Sequence, residues 1–438
     1  MKNKGIKARD IPIVGFALFA MFLGAGNIIF PPFLGAHSGT NFILGWLGFA
    51  ATGVGLPVLG VVAVAKSGGT ADGVSLKVSS KFARILNLLI MTFIGPLFAI
   101  PRTAATTVEL ALEPFLPKAW STQVILIVGA LIFFAICLFF VLSPSNAVDR
   151  IGTILTPLLI IFLLALILLS IFKPMGKPVE GLLAEPFSTG FTTGYQTMDA
   201  LASIMFGGTV FVTLLQKGYT KDDAKRAMWP IALIAGVALI VVYLGLIWVG
   251  ASGSATLQNF NEKTALTVAA VGELAGLTGQ IILAGIIFFA CCTTAIGLII
   301  TAADYYRESF GERRSYRFWG ILVTLISYFI SIIGVEGIII IAGPLLELIY
   351  PVVIVLVVLN LFSPRLQHRW IYIGALIGAA PAAILNALRA FDGVKVFSES
   401  LLAYFPFGLS GFGCFVPAAI GGAIGYLLVR LRKQPTTT

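Results

Sequence analysis

Charge is scarce in this 438-residue chain: only 11% of residues are Asp, Glu, Lys or Arg, and there are two histidines and four cysteines. That scarcity removes several classes of function. His37 and His368 lie at the ends of apolar runs, too few and too far apart to suggest a metal centre. Cys137, Cys291, Cys292 and Cys414 all fall inside apolar runs without metal-ligand spacing, so they read as small packing residues. No G-x-x-x-x-G-K-[ST] stretch is present to hold ATP. No His/Cys/Asp constellation at a common depth suggests an enzyme. A formal net charge of +10 could point to nucleic acid, but the basic residues sit in short segments between apolar runs, not on one face or tail.

What the chain has in abundance is apolar length. It is 58% hydrophobic with a mean hydropathy of +1.00, and its runs repeatedly reach the roughly 20 residues that cross a bilayer. Twelve spans are predicted, at 11–34, 41–66, 84–113, 119–142, 147–172, 192–216, 228–251, 278–303, 318–334, 337–362, 370–390 and 409–430. The expected class is an all-α integral membrane protein in a lipid bilayer, with no soluble catalytic domain. The basic start "MKNKGIKARD" leads into an apolar stretch without a small-residue cleavage site, so the first span is expected to be retained. With an even number of spans both ends share one side. Segments assigned to that side carry 22 Lys and Arg against six opposite, with Arg102 inside the third span, which puts both termini in the cytoplasm. The connections 173–191 and 252–277 then face outward. The second is apolar enough for short helices over the outer opening, though an ordinary surface loop would also fit.

One stretch resists this simple picture. "FLGAGNIIFPPF", residues 22–33, puts two glycines, Asn27 and two prolines inside the first span. Glycine costs a helix interior about 1 kcal/mol relative to alanine and proline about 3. Freed backbone at membrane depth is tolerated only where protein buries it or a polar cavity meets it. Unwinding is therefore expected at 23–27. The sixth span, "MDALASIMFGGTVFVTLLQKG", carries Gly207 and Gly208 near its middle, and a second break is expected there. Spans one and six are five apart, the spacing of two inverted five-span units that each begin with a discontinuous helix. That divides the single membrane domain into 11–172, 192–362 and a remainder, 363–438, of two spans and a tail. Either glycine cluster alone could instead mark close helix packing.

A broken helix offers amides to an anion and carbonyls to a cation, which together suit a zwitterionic amino acid. No charged side chain lies between positions 11 and 39. Deep in other spans stand Arg102, Glu109 and Glu347, with Asp199 about two turns before the glycine pair. Arg102 should face a cavity or pair with Asp199 or Glu109, either for gating or simply to fix helix register. Glu347, between Pro344 and Pro351, is a candidate proton carrier or gate, or a carboxylate bonded to freed backbone. Asp304 should be solvated. In span eight, Ala290, Thr293 and Thr294 share one helix face and could supply neutral oxygens to a monovalent cation. Their hydroxyls could equally bond their own preceding carbonyls.

The stretches "GFALFAMFLGAGNIIFPPFLG", "GPLFAIPRTAATTVE" and "GYQTMDALASIMFGG" strongly resemble the bacterial branched-chain amino acid:cation symporter family, and the similarity covers nearly the whole chain. The resemblance implies a leucine-transporter-type inverted-repeat fold in the bacterial inner membrane. It also implies uptake of leucine, isoleucine and valine by alternating access with Na+, H+ remaining open as the coupling ion. Carried over by position, backbone oxygens of Ala20 and Leu23 with Ala290, Thr293 and Thr294 would form the cation site. The amino acid would lie against Phe22, Gly24, Ala25, Gly26 and Asn27 on span one and Phe206, Gly207 and Gly208 on span six. Some relatives of that fold carry a charged outer gate where this chain has Phe30. A proton-coupled carrier of other apolar amino acids remains an alternative. So does a channel, although no filter motif is visible. No protein partner is evident.

Overall fold

The computed structural model describes residues 9–117, 119–142, 147–311, 313–362 and 366–432, the side chains of 147–156 and of Arg432 excepted. Each long apolar run forms helix, because backbone in hydrocarbon must satisfy its own N–H and C=O groups. Helices α1 (Asp10–Phe22) and α2 (Ala25–Ser38) are bent by 71° at the two-residue interruption between them. Then follow α3 (Phe42–Lys66), α4 (Ser80–Phe115), α5 (Thr122–Leu142) and α6 (Ala147–Phe172). Helices α7 (Pro186–Tyr195) and α8 (Asp199–Gln216) precede α9 (Lys221–Ser252), α10 (Lys263–Ser309) and α11 (Tyr316–Ser331). The chain continues through α12 (Val335–Leu361), α13 (Arg369–Leu388), α14 (Asp392–Leu402) and α15 (Phe415–Arg432).

Among the described residues, length and composition qualify eight helices as spans, or nine with α1 and α2 counted as one. The segments Pro157–Phe172, Tyr316–Ser331 and Phe415–Leu431 are apolar but shorter. By that measure the spans number fewer than the twelve expected. Part of the charge asymmetry rests on basic residues at 2–8, 118, 365 and 433, which lie outside the described residues.

The first break falls where "GAG" places it, but it is shorter than expected. Only Leu23 (φ −73°, ψ 79°) and Gly24 (φ −101°, ψ −168°) leave the helical region, and Ala25 already opens α2. Pro31 and Pro32 lie inside α2 and do not end it.

The second break is not at the glycines. Gly207 and Gly208 sit inside the continuous helix α8. Residues 196–198 form the interruption, and Met198 takes the left-handed conformation (φ 66°, ψ 8°) immediately before Asp199. Gly207 instead permits close packing: a Cβ there would lie 3.1 Å from the Val64 Cβ on α3. Small residues let membrane helices approach closely, and this is the role Gly207 serves.

The connection 252–277 is largely helical. Ser254–Leu257 forms one turn and α10 begins at Lys263, kinking at Gly276 (φ 58°) before its membrane stretch. Leu257, Leu266 and Ala270 cluster with Ala36 of α2 and Val249 of α9, so this segment covers the end of α2. All four cysteines are free and buried. Among the described residues no group of three His, Cys, Asp or Glu could hold a metal ion.

Candidate functional site

The two breaks face each other. At the first, Leu23 N–H still reaches Phe19 O (2.9 Å), but Gly24 N–H turns to Phe22 O (2.8 Å) and to the Asn27 side-chain oxygen (3.2 Å). A continued α-helix would have sent Gly24 N–H to Ala20 O. That carbonyl therefore loses its helical donor, and the first N–H groups of α2 begin without acceptors behind them.

Asn27 then bridges the breaks. Its Nδ2 donates to Asp199 Oδ2 at 2.6 Å and to the Tyr243 hydroxyl of α9, while that hydroxyl donates to Asp199 Oδ2 at 3.3 Å. Asn27, Asp199 and Tyr243 are 1%, 4% and 0% exposed. A buried carboxylate is stable only with such donors. Asp199 also occupies the first turn of α8, where the helix dipole favours negative charge. Its expected position, two turns before the break, is corrected: it stands at the break itself.

Arg102 holds the other side of the second break. Its Nη1 donates to Gln196 O at 2.5 Å and its Nη2 to Thr197 O at 3.3 Å, which satisfies carbonyls that the interrupted helix leaves free. The guanidinium also rests 5.4 Å from the Phe30 ring centroid. None of the ion pairs among the described residues joins Arg102 to Asp199 or Glu109. Of its two expected placements Arg102 takes the first, lining the cavity between the breaks, and its guanidinium clamps backbone rather than a carboxylate. Gly26 exists for this clamp, since a Cβ there would lie 2.7 Å from Arg102 Nη2.

Between the breaks lies a cavity of about 30 Å³. Its lining includes Phe22, Gly24, Ala25, Asn27, Arg102, Asp199, Phe206 and Thr294. It has room for water but not for an amino acid. Phe22 and Phe206 meet across it with ring centroids 5.8 Å apart. Of the residues expected to contact substrate, Gly26, Gly207 and Gly208 do not line it: the first packs on Arg102, and the other two on α3 and the turn that follows it. The absence of charge in span one holds, yet span three and the sixth-span break supply an arginine and an aspartate to the same cavity.

Of the residues expected to hold a cation, Thr294 stands beside the first break. Thr294 Oγ1 is buried without a hydrogen-bond partner, and a Cβ on Gly24 would lie 3.6 Å from it. Ala290 is fully buried beneath it. Thr293 donates to Phe289 O and Ala290 O, both at 3.0 Å. Its proton is thus committed to its own helix. Ala20 and Leu23 are themselves buried at the break.

The remaining candidates have other places. Glu109 Oε1 accepts from Val335 N–H at 2.9 Å and caps α12. Glu347 lines a separate cavity near Arg389 and Lys395. Asp304 makes a half-exposed ion pair with Arg307 (3.4 Å). Sequence reasoning missed Tyr243, whose signal was a single hydroxyl in the apolar run "GVALIVVYLGLIWVG". It also missed Gln196 and Thr197, the polar pair just ahead of Asp199.

Comparison with known proteins gives the family and the fold. The family model described as branched-chain amino acid transport protein matches residues 7–432. The chain is 37% identical to the branched-chain amino acid permease BraB of Bacillus subtilis (strain 168), over 97% of this chain and 96% of BraB. It is 32% identical to the branched-chain amino acid permease BrnQ of the same organism, over 99% of both. The fold is shared with an inward-facing conformation of Mhp1 (TM-score 0.57, 15% identity, 95% of this chain and 91% of that one). A Na+-coupled sialic acid symporter in a substrate-bound outward-open state also shares it (TM-score 0.57, 16% identity, 95% and 89%). These are transporters and not enzymes. The chain belongs to the branched-chain amino acid transport protein family, as a multi-pass membrane member with the leucine-transporter-type fold.

Proposed function

We propose that this chain imports leucine, isoleucine and valine across the bacterial plasma membrane by alternating access, with Na+ as the coupling ion. The observation that carries the reading is the meeting of two broken helices through Asn27 and Asp199 at 2.6 Å, around a cavity with an aromatic floor. The substrate carboxylate would take the free N–H groups at the start of α2, at the positive end of the helix dipole. Its ammonium would take Asp199. Its aliphatic side chain would part Phe22 from Phe206, where each added methylene contributes roughly 0.8 kcal/mol.

Na+ would be held by Ala20 O, Leu23 O, Ala290 O, Thr293 Oγ1 and Thr294 Oγ1, and it supplies a positive charge that draws α1 onto α10. Asn27, Phe22 and Gly24 are on the same break, so ordering that break for one ligand orders it for the other. The permeases and the Na+-coupled symporter found by comparison support this reading. In the same reading both termini are cytoplasmic, twelve segments cross, and 11–172 and 192–362 are inverted repeats beginning at the two breaks.

A second reading has its own observation. Asp199 is a buried carboxylate in the cavity, so it could carry a proton in place of Na+. Radiolabelled leucine uptake into proteoliposomes, under an imposed Na+ gradient, a proton gradient or neither, separates the two. Accumulation with Na+ alone supports the first. Accumulation with protons alone moves coupling to Asp199, and no leucine movement under any gradient rejects both.

A further inference from the structure

A second cavity, of about 420 Å³, opens between α7, α12 and α13 at the end of the bundle that carries the 389–410 connection. It is large enough for a small molecule, unlike the closed space between the breaks. Its wall is chemically mixed. Tyr195, Glu347 and Asn386 contribute from α7, α12 and α13, and Arg389, Lys395 and Glu399 face them from the connection and α14.

Three observations indicate that this space holds a ligand. The Tyr195 hydroxyl and the Asn386 side-chain oxygen are buried and have no hydrogen-bond partner, in residues 4% and 6% exposed. A buried polar atom left in that state is destabilising. Glu347 is half-buried and makes no hydrogen bond or ion pair among the described residues. Arg389, by contrast, is held loosely: it reaches Glu399 at 3.5 Å and Leu409 O at 3.1 Å, with about a third of its side chain exposed. Such exposed pairs are weak and exchange partners easily.

We propose that this cavity is a second binding site for a free amino acid, with Glu347 and the Asn386 oxygen receiving the ammonium and Arg389 with Lys395 receiving the carboxylate. Both signs of charge line the space, Glu185, Glu347 and Glu399 with Arg389 and Lys395, which suits a zwitterion better than a simple cation or anion. The Tyr195 ring links this site to the central one, because it stacks on Tyr350 (centroids 4.2 Å apart) and ends α7 directly before the second break. An amino acid here is one step from the Arg102 clamp. The proposal rests on the transport reading above and adds an outer stop to it.

Saturation binding of radiolabelled leucine to the purified full-length protein in nanodiscs tests this. Two leucines are expected per wild-type chain. Glu347→Gln and Arg389→Gln should each leave one, and Asp199→Asn should remove the other. Tyr195→Phe, a milder change, should weaken only the outer site, by about tenfold. Thermal melting of each variant identifies any that has lost its fold, and Tyr195→Phe then decides. One leucine per wild-type chain, with affinity unchanged in Glu347→Gln, Arg389→Gln and Tyr195→Phe while uptake persists, overturns the outer site and spares the transport reading. A wild-type chain that binds no leucine and moves none overturns both.

Discussion

Replacing Gly26 with alanine adds a single methyl group at the point where both breaks depend on one side chain. The new Cβ would lie 2.7 Å from Arg102 Nη2 and 2.9 Å from Phe30 Cε2. The guanidinium cannot swing aside freely, because it holds Gln196 O at 2.5 Å and Thr197 O at 3.3 Å. Overpacking of this kind costs about 1–3 kcal/mol, and a hydrogen bond to a charged group contributes about 1.5–3 kcal/mol. Loss of even one clamp bond should therefore reduce leucine binding on the order of tenfold or more. Equilibrium binding and initial uptake rates would be measured for Gly26→Ala, Arg102→Ala and the double variant. The two single changes should be similar in effect. The second change should add little to the first, because only the Phe30 contact remains once the guanidinium is gone. Wild-type binding by Gly26→Ala, or full additivity in the double variant, would refute the clamp.

Thr294→Ala should raise the Na+ concentration for half-maximal uptake several-fold while leaving the leucine dependence at saturating Na+ nearly unchanged, since the lost oxygen faces Gly24 and not the zwitterion; an unaltered Na+ curve would remove Thr294 from the cation site. Tyr243→Phe removes one donor from Asp199 and should weaken leucine binding by about 1–3 kcal/mol, measurable by displacement of labelled leucine. Glu109→Ala should lower stability by about 0.5–2 kcal/mol through loss of the Val335 cap, seen in thermal melting, with the half-saturating leucine concentration unmoved. Alanine, three carbons shorter than leucine, should compete about 2.4 kcal/mol less well in uptake assays; equal competition would argue against an apolar pocket at Phe22 and Phe206.

The break in span one was legible because its sequence is costly in any helix: Gly24 and Gly26 weaken one turn in a run whose other residues all favour a continuous span. The second break was misplaced because glycine has two uses in a membrane. At Gly207 it admits Val64, and helix α8 runs on through it. The true interruption depends on Met198 in a left-handed conformation, which a methionine adopts only when its surroundings impose it. Nothing local in "YQTMDA" announces this, although Asp199 at the start of a helix is a reasonable sign in hindsight. Arg102 was expected to face a cavity or to pair with a carboxylate. It lines the cavity and holds backbone, because an interrupted helix presents carbonyls that no side chain in the sequence reveals. Tyr243 was hidden by the apolarity of its neighbours.

The space between the breaks, only about 30 Å³, also bears on the energy economy of the cell. A carrier whose waist stood open would be a passive leak through the membrane. Phe22 against Phe206 and Asn27 tied to Asp199 leave this waist too narrow for free passage. Leakiness should then rise in any variant that enlarges this waist, even one that still transports well, and a membrane's resting ion conductance would register the fault before its growth on amino acids did.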